Sequence, residues 1–295
     1  MVVGWSATAS GVPHAFRWQN GVMTDLGTLG GMHSSAEAIN SDGVIVGWSD
    51  TPRARRAARW LNGNLRSLGT LGGQNSQATD ISPLGVIVGW SQTASGETHA
   101  FLWKNGVMKD LGTLGGRHSS AVAINRGEVV VGGSTTADGT ERNHAFRYRN
   151  GVMEDLDRGR WGRLSSWAMG INNAGVIVGL LGAFPDAQGE ELDFTSPFRW
   201  HQGVMTVLNA PGEAMDVNPD GVIAGSYLVD GGTGGDAWVW QNGITTFLPE
   251  PINSSAVSAA NAINPRGDVV GYVQPNCSFD EGCTGPQHAT LWKRN

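Results

Sequence analysis

A Val-Ile-Val-Gly-Trp-like string recurs seven times in this chain, its glycine at positions 4, 47, 89, 132, 179, 225 and 271. Self-similarity at a fixed period of 42 to 47 residues limits the fold to a stack or ring of like units. Each string is followed by a His-Ala-Phe-Arg-Trp-like string, ending at Trp18, Trp60, Trp103, Tyr148, Trp200, Trp240 and Trp292. In six copies a turn and Val-Met-Thr-Asp-Leu or a variant come next. Copies one and three carry Asp-Leu-Gly-Thr-Leu-Gly-Gly in full, and copy two lacks only the Asp. A Ser-Ser-Ala-x-Ala-Ile-Asn-like string closes the unit, ending at Asn40, Ser82, Asn125, Asn172, Asn218 and Asn264.

All four strings are short, β-branched or aromatic, and bounded by Gly, Asn, Asp and Ser, which is the pattern of strands. Asn20-Gly21 and Asp42-Gly43 supply the positive φ angles of tight hairpins. Four strands per repeat of this length predict an all-β fold, a β-propeller of four-stranded antiparallel blades, with a β-solenoid as the alternative. A two-residue hairpin cannot carry the chain from the outer strand of one blade to the inner strand of the next. The Gly-Thr-Leu-Gly-Gly linker can, so the blade order is Ser-Ser-Ala-x-Ala-Ile as inner strand A, Val-Ile-Val-Gly-Trp as B, His-Ala-Phe-x-Trp as C and Val-Met-x-Asp-Leu as outer strand D. Ala36, Ala78, Ala121, Ala168, Ala214 and Ala260 share one position of strand A, where blades converge and space is least. The count is six A, seven B, seven C and six D strands, which predicts six or seven blades in one domain over residues 1–295, with partial repeats closing the ring.

The 44 glycines follow no Gly-X-Y period, and the periodicity is not helical, so collagen, coiled coil and helical bundle are excluded. No apolar run approaches the roughly 18 to 20 residues of a membrane span. With 20 basic against 26 acidic residues, a net charge of −6 and no basic stripe, nucleic acid is not an expected partner.

The strings His14-Ala15-Phe16-Arg17-Trp18, Asp25-Leu26-Gly27-Thr28-Leu29-Gly30-Gly31, Ala38-Ile39-Asn40 and Gly43-Val44-Ile45-Val46-Gly47 resemble the repeats of the HAF family of extracellular bacterial proteins. The likeness covers essentially the whole chain, although copies four to six lack Gly-Thr-Leu-Gly-Gly. It implies an extracellular or periplasmic location, and no signal peptide is read at Met1–Trp5.

Repeats serve as an internal control on chemistry: a residue present in every copy builds the blade, and a departure marks a candidate site. His14, His99, His144 and His288 open strand C, and His33 and His118 precede Ser-Ser, so these six read as structural; His201 alone lies off the template. Neither a Gly-x-Ser-x-Gly elbow nor a phosphate loop is present. On strand A, where other copies carry Ala38, Ala123, Gly170 and Ala262, two carry Asp80 and Asp216, with Glu37 and Asn261 one residue earlier in theirs. Counted by A strands these are the second and fifth blades, opposite each other in a six-fold ring, and converging oxygen ligands suit Ca²⁺. The competing reading has these carboxylates accepting hydrogen bonds from backbone amides.

The B to C connections are a second lead, because long loops on a rigid scaffold carry binding. They bear Phe184, Asp186, Glu190, Glu191 and Asp193 in one copy, and Phe279 and Asp280 in another. Arg53, Arg55 and Arg56 form a basic cluster suited to an anion, and Cys277 and Cys283 could staple one loop by a disulfide in an oxidising compartment. The function these features predict is a monomeric secreted or surface module binding a small molecule or glycan. Two alternatives are a calcium-dependent lactone or ester hydrolase, with a base among His33, His118 and His201, and a structural repeat region of a larger surface protein.

Overall fold

The structure, a computed structural model, describes residues 1–138, 142–160, 164–182, 195–228, 235–249, 256–275, 277–278, 282–283 and 288–294. The described residues form seven antiparallel sheets and one small hairpin. The first sheet holds β1 (Val2–Ala7), β2 (Pro13–Gln19) and β3 (Val22–Asp25); the second, β4 (Ser34–Ile39), β5 (Ile45–Asp50), β6 (Arg55–Leu61) and β7 (Asn64–Gly69). The third holds β8 (Gly72–Ile81), β9 (Ile87–Thr93), β10 (Thr98–Lys104) and β11 (Val107–Asp110); the fourth, β12 (Gly115–Ile124), β13 (Val130–Thr136), β14 (Asn143–Arg149) and β15 (Val152–Asp155). The fifth holds β16 (Ser165–Ile171), β17 (Ile177–Gly182), β18 (Thr195–His201) and β19 (Val204–Val207); the sixth, β20 (Glu213–Val217), β21 (Ile223–Leu228), β22 (Gly235–Gln241) and β23 (Ile244–Phe247). The seventh pairs β24 (Val257–Ile263), β25 (Val269–Gln274) and β28 (His288–Trp292), and β26 (Cys277–Ser278) pairs with β27 (Gly282–Cys283).

Every four-stranded sheet is a meander in the order A, B, C, D, so the boundary read from linker lengths is the observed one. The blade count resolves to seven, with the first sheet lacking an A strand and the seventh a D strand among the described residues. The chain divides into two compact units, Met1–Glu141 with Phe146–Asp155, and Arg142–Ala145 with Leu156–Asn295; the division runs through the fourth sheet.

Six C to D turns are Asn-Gly, or Gln202-Gly203, with both residues at positive φ, such as Asn105 at 52° and Gly106 at 86°. That geometry follows the right-handed strand twist. Core residues lie between successive sheets: in the first unit Val88, Ala121, Ile124 and Phe146 bring the third and fourth sheets together, and in the second Ala224, Ala260, Ile263 and Trp292 join the sixth and seventh. Serines lock neighbours. Ser34 Oγ accepts from Ala15 N at 2.9 Å and donates to Gly27 O at 2.8 Å, and Ser76 and Ser119 repeat both bonds in the following sheets.

The recurring B-strand glycine has a physical reason. Each A strand bulges immediately after its alanine, with register shifts at Ala36/Ala38, Ala78/Asp80, Ala121/Ala123, Ala168/Gly170, Ala214/Asp216 and Ala260/Ala262. The bulge turns a carbonyl onto the facing glycine. A Cβ at Gly47, Gly89, Gly132, Gly179, Gly225 or Gly271 would fall far inside 3.0 Å of the carbonyl oxygen of Ser35, Gln77, Ser120, Trp167, Glu213 or Ala259 respectively.

Candidate functional site

The histidines that open strand C are held by aspartates near the end of strand D. His14 Nδ1 lies 2.9 Å from Asp25 Oδ2, His99 Nδ1 2.8 Å from Asp110 Oδ2, and His144 Nδ1 3.0 Å from Asp157 Oδ1. Each aspartate also accepts from the amide two residues on: Gly27, Gly112 or Gly159. The sequence reading missed this pairing, whose partners sit on two strands joined by a turn. The fourth-sheet pair is the buried one, and Ser166 Oγ donates to Asp157 Oδ2 at 2.6 Å. Ser, His and Asp thus meet, but the serine bonds the carboxylate and not the imidazole, which is the wrong connectivity for a nucleophile and its base.

Burial pushes the Asp157 carboxyl up, and the bonds from His144, Ser166 and Gly159 outweigh it, so its pKa lies below the ordinary value. A depressed folded-state pKa contributes stability above the unfolded value of about 3.9 and loses it as pH falls through the folded value. Asp157→Asn is expected to cost about 3 kcal/mol near neutrality, as for breaking a buried charged hydrogen-bond set. Denaturant titrations at successively lower pH should show wild type and variant converging below about pH 4; a constant gap would show that the charge is not the cause.

The other predicted bases are dispersed. His33 Nδ1 bonds Asp50 Oδ2 at 2.9 Å, His118 Nδ1 accepts from Thr98 N at 3.3 Å, and His201 ends β18 at the turn, its backbone opposite Val204. Each has a local setting of its own. Among the four acids and amides of strand A, Glu37 Oε1 accepts from Trp48 Nε1 at 3.1 Å and Asn261 is exposed. Asp80 accepts from Ile81 N at 2.7 Å and from Ile124 N of the next A strand at 2.8 Å; Asp216 accepts from Val217 N at 2.7 Å and Ile263 N at 2.9 Å. The two aspartates therefore perform one task in their respective units, tying adjacent A strands together.

In the basic cluster, Arg55 lies 3.5 Å over the Trp48 ring and beside Asp50, Arg56 Nη1 donates to Arg55 O at 3.1 Å, and Arg53 is exposed on the loop. Phe184, Asp186, Glu190, Glu191, Asp193, Phe279 and Asp280 lie outside the described residues. The backbone register puts Cys277 directly opposite Cys283. Facing residues of an antiparallel pair lie within the Cα separation a disulfide spans.

A groove that the sequence reading missed lies between the fifth and sixth sheets. It encloses about 420 Å³ and is lined by Arg199 of β18, Leu208 and Asn209 after β19, Asp220 in the turn before β21, and Trp240 of β22. Among the described residues Trp240 Nε1 is buried with no hydrogen-bond partner. At the same repeat position Trp60 Nε1 donates to Leu26 O at 2.9 Å and Trp292 Nε1 to Pro249 O at 2.8 Å. In the linker before the sixth sheet Thr245 Oγ1 donates to Asn209 O at 2.6 Å and Trp238 Nε1 to Pro211 O at 2.9 Å. Arg199 is also uncommitted among the described residues. Of its counterparts, Arg59 lies 5.7 Å over the Trp103 ring and Arg147 pairs with Glu154, whereas Arg17 resembles Arg199 in having no side-chain partner among the described residues. A buried donor without an acceptor costs about 1–3 kcal/mol; among the described residues Trp240 Nε1 is one, on a residue that lines this groove together with Arg199.

Comparison with solved structures supplies the fold. The chain is similar to the β-propeller domain of the Trilobed protease from Pyrococcus furiosus, with a TM-score of 0.63 at 11% identity over 99% of this chain and 91% of that one. The fold is a β-propeller. Similar too are an acylaminoacyl peptidase from Pyrococcus horikoshii (TM-score 0.60, 11% identity, 98% of this chain and 48% of that) and a puromycin-hydrolyzing peptidase from Mycobacterium tuberculosis (0.58, 11%, 95% and 47%). The chain spans about half the length of these two. No family model and no curated protein matches the sequence. At such identity the likeness carries the fold and leaves activity to be argued from the site.

Proposed function

We propose that this propeller is a monomeric ligand-binding module, acting outside the cytoplasm as its resemblance to HAF repeats implies, and that it takes a small acidic sugar in the groove of Arg199 and Trp240. The observation that carries the reading is that one groove is lined both by Trp240, whose indole N–H has no partner among the described residues, and by the uncommitted Arg199. A carboxylate satisfies Arg199 in a fork, an adjacent oxygen accepts from Nε1, and the indole face supports a sugar ring. Concave sites with few convergent polar groups are where small ligands bind.

Titration of wild-type protein with glucuronate and with glucose, followed by Trp fluorescence and calorimetry, should show saturable binding of the acid and at least about ten-fold weaker binding of the neutral sugar, a difference of about 1.4 kcal/mol. Arg199→Ala and Trp240→Phe should each abolish that preference. Stability gives an independent reading. Trp240→Phe removes an unsatisfied donor and should leave the free protein as stable or more so, whereas Trp60→Phe breaks a made bond and should cost about 1 kcal/mol. Failure of wild type to bind any uronate would end the proposal.

A further inference from the structure

The groove of Arg199 and Trp240 carries charge of both signs, one on each wall. The fifth sheet contributes Arg199, on β18 opposite Thr206 of β19, and the sixth contributes Asp220, in the turn between β20 and β21. The two do not pair with each other, and neither side chain makes a hydrogen bond or ion pair among the described residues. The turn that presents Asp220 is itself held: Asp220 N and Val222 N both donate to Asn218 Oδ1 at 3.0 Å, and Asn218 is buried.

The repeats show that this combination is selective. Only two gaps between successive sheets join an arginine of strand C to an aspartate in the next A to B turn: Arg17 with Asp42, and Arg199 with Asp220. In the first of these the strand C tryptophan is closed off, since Trp60 is 3% exposed and its Nε1 donates to Leu26 O at 2.9 Å. In the second, Trp240 is half-buried and its Nε1 has no partner among the described residues. The first unit thus repeats the two charges without the open indole, and serves as an internal control.

A simple uronate answers only half of the second gap. Its carboxylate meets Arg199, while Asp220 adds a like charge to the same groove, and a repulsive element of that kind discriminates between ligands. An ammonium group turns the repulsion into attraction. In a 2-amino-2-deoxyuronate the ammonium at C2 and the carboxylate at C5 stand across one ring, as the two charged residues stand on two walls.

We propose that Asp220 is the specificity-determining residue of this groove and that the ligand is a zwitterionic amino sugar acid, its carboxylate on Arg199 and its ammonium on Asp220. The inference rests on the reading of the groove as an acidic-sugar site and adds the second charge. Asp220 is exposed, so its contribution is that of one solvent-exposed ion pair, up to about five-fold in affinity.

The test is calorimetric titration of the full chain with 2-amino-2-deoxyglucuronate and with glucuronate, at a pH below the pKa of the amine. Wild type should bind the amino sugar about five-fold more tightly. Asp220→Asn should weaken binding of the amino sugar and tighten that of glucuronate, a crossed result that also shows the variant's groove to be folded. Asp42→Asn should change neither. Glucuronate binding with no advantage for the amino sugar, or an advantage that survives Asp220→Asn or is lost in Asp42→Asn, would overturn this inference and leave the acidic-sugar reading standing. Absence of binding by both sugars would overturn the two together.

Discussion

Gly89→Ala is expected to destabilise the protein by about 3–5 kcal/mol, at the upper end of single-site effects. The cause is overpacking against backbone. Gly89 lies on β9 opposite the bulge of β8, and its Cβ would be driven into the carbonyl oxygen of Gln77 and the Cα of Ala78, atoms that no rotamer change can move. Overpacking against side chains costs about 1–3 kcal/mol because they can shift, and a ladder-bound carbonyl cannot. Gly106→Ala is the matched control. Gly106 has φ +86° and nothing within 4 Å of a Cβ, so its substitution carries only the left-handed backbone cost of about 1–2 kcal/mol. Chemical denaturation of the two variants separates the mechanisms: near-equal losses would mean that the bulge yields and that the recurring glycine is not a close-approach residue.

That contrast also shows what could be read from the sequence. Period, strand strings and Asn-Gly turns are local signals, each decided by a few adjacent residues, and they gave the blades, their order and the A to D assignment. The B-strand glycine was conspicuous, yet its reason was not legible, because the carbonyl it must avoid belongs to a bulge about a dozen residues away on another strand. The His14–Asp25 and His99–Asp110 pairs were within reach, since both residues recur together at a constant separation of 11. The Arg199–Trp240 groove was not: nothing in the sequence sets Trp240 apart from Trp60 and Trp292, and only the folded contacts show its indole N–H without the acceptor those two have. Departures from the repeat singled out Asp80 and Asp216, and both accept from backbone amides, the arrangement that the competing reading described.

Those two aspartates provide the other large effect. Asp216→Ala strands the amides of Val217 and Ile263, and Asp80→Ala those of Ile81 and Ile124, at about 1–3 kcal/mol for each group left unsatisfied. Each variant should therefore lose about 2–4 kcal/mol, and Asp216→Asn should recover part of it, since an amide oxygen can serve one N–H while its NH₂ group opposes the other. The charge pulls the opposite way from that of Asp157. Burial raises the pKa of Asp216 and the two amide bonds only partly offset it. With the folded value above the unfolded one, the ionised form is disfavoured by folding, so the wild type should gain on Asp216→Asn as pH falls through the folded value toward about 3.9. Calcium decides between the two assignments of these residues. If the carboxylates serve to tie A strands, melting curves in calcium and in EDTA coincide for wild type and variants alike, and the alanine losses persist in both. A wild-type melting point that rises with calcium, with the rise absent in Asp80→Ala plus Asp216→Ala, would restore a metal site with Glu37 and Asn261 as its further ligands.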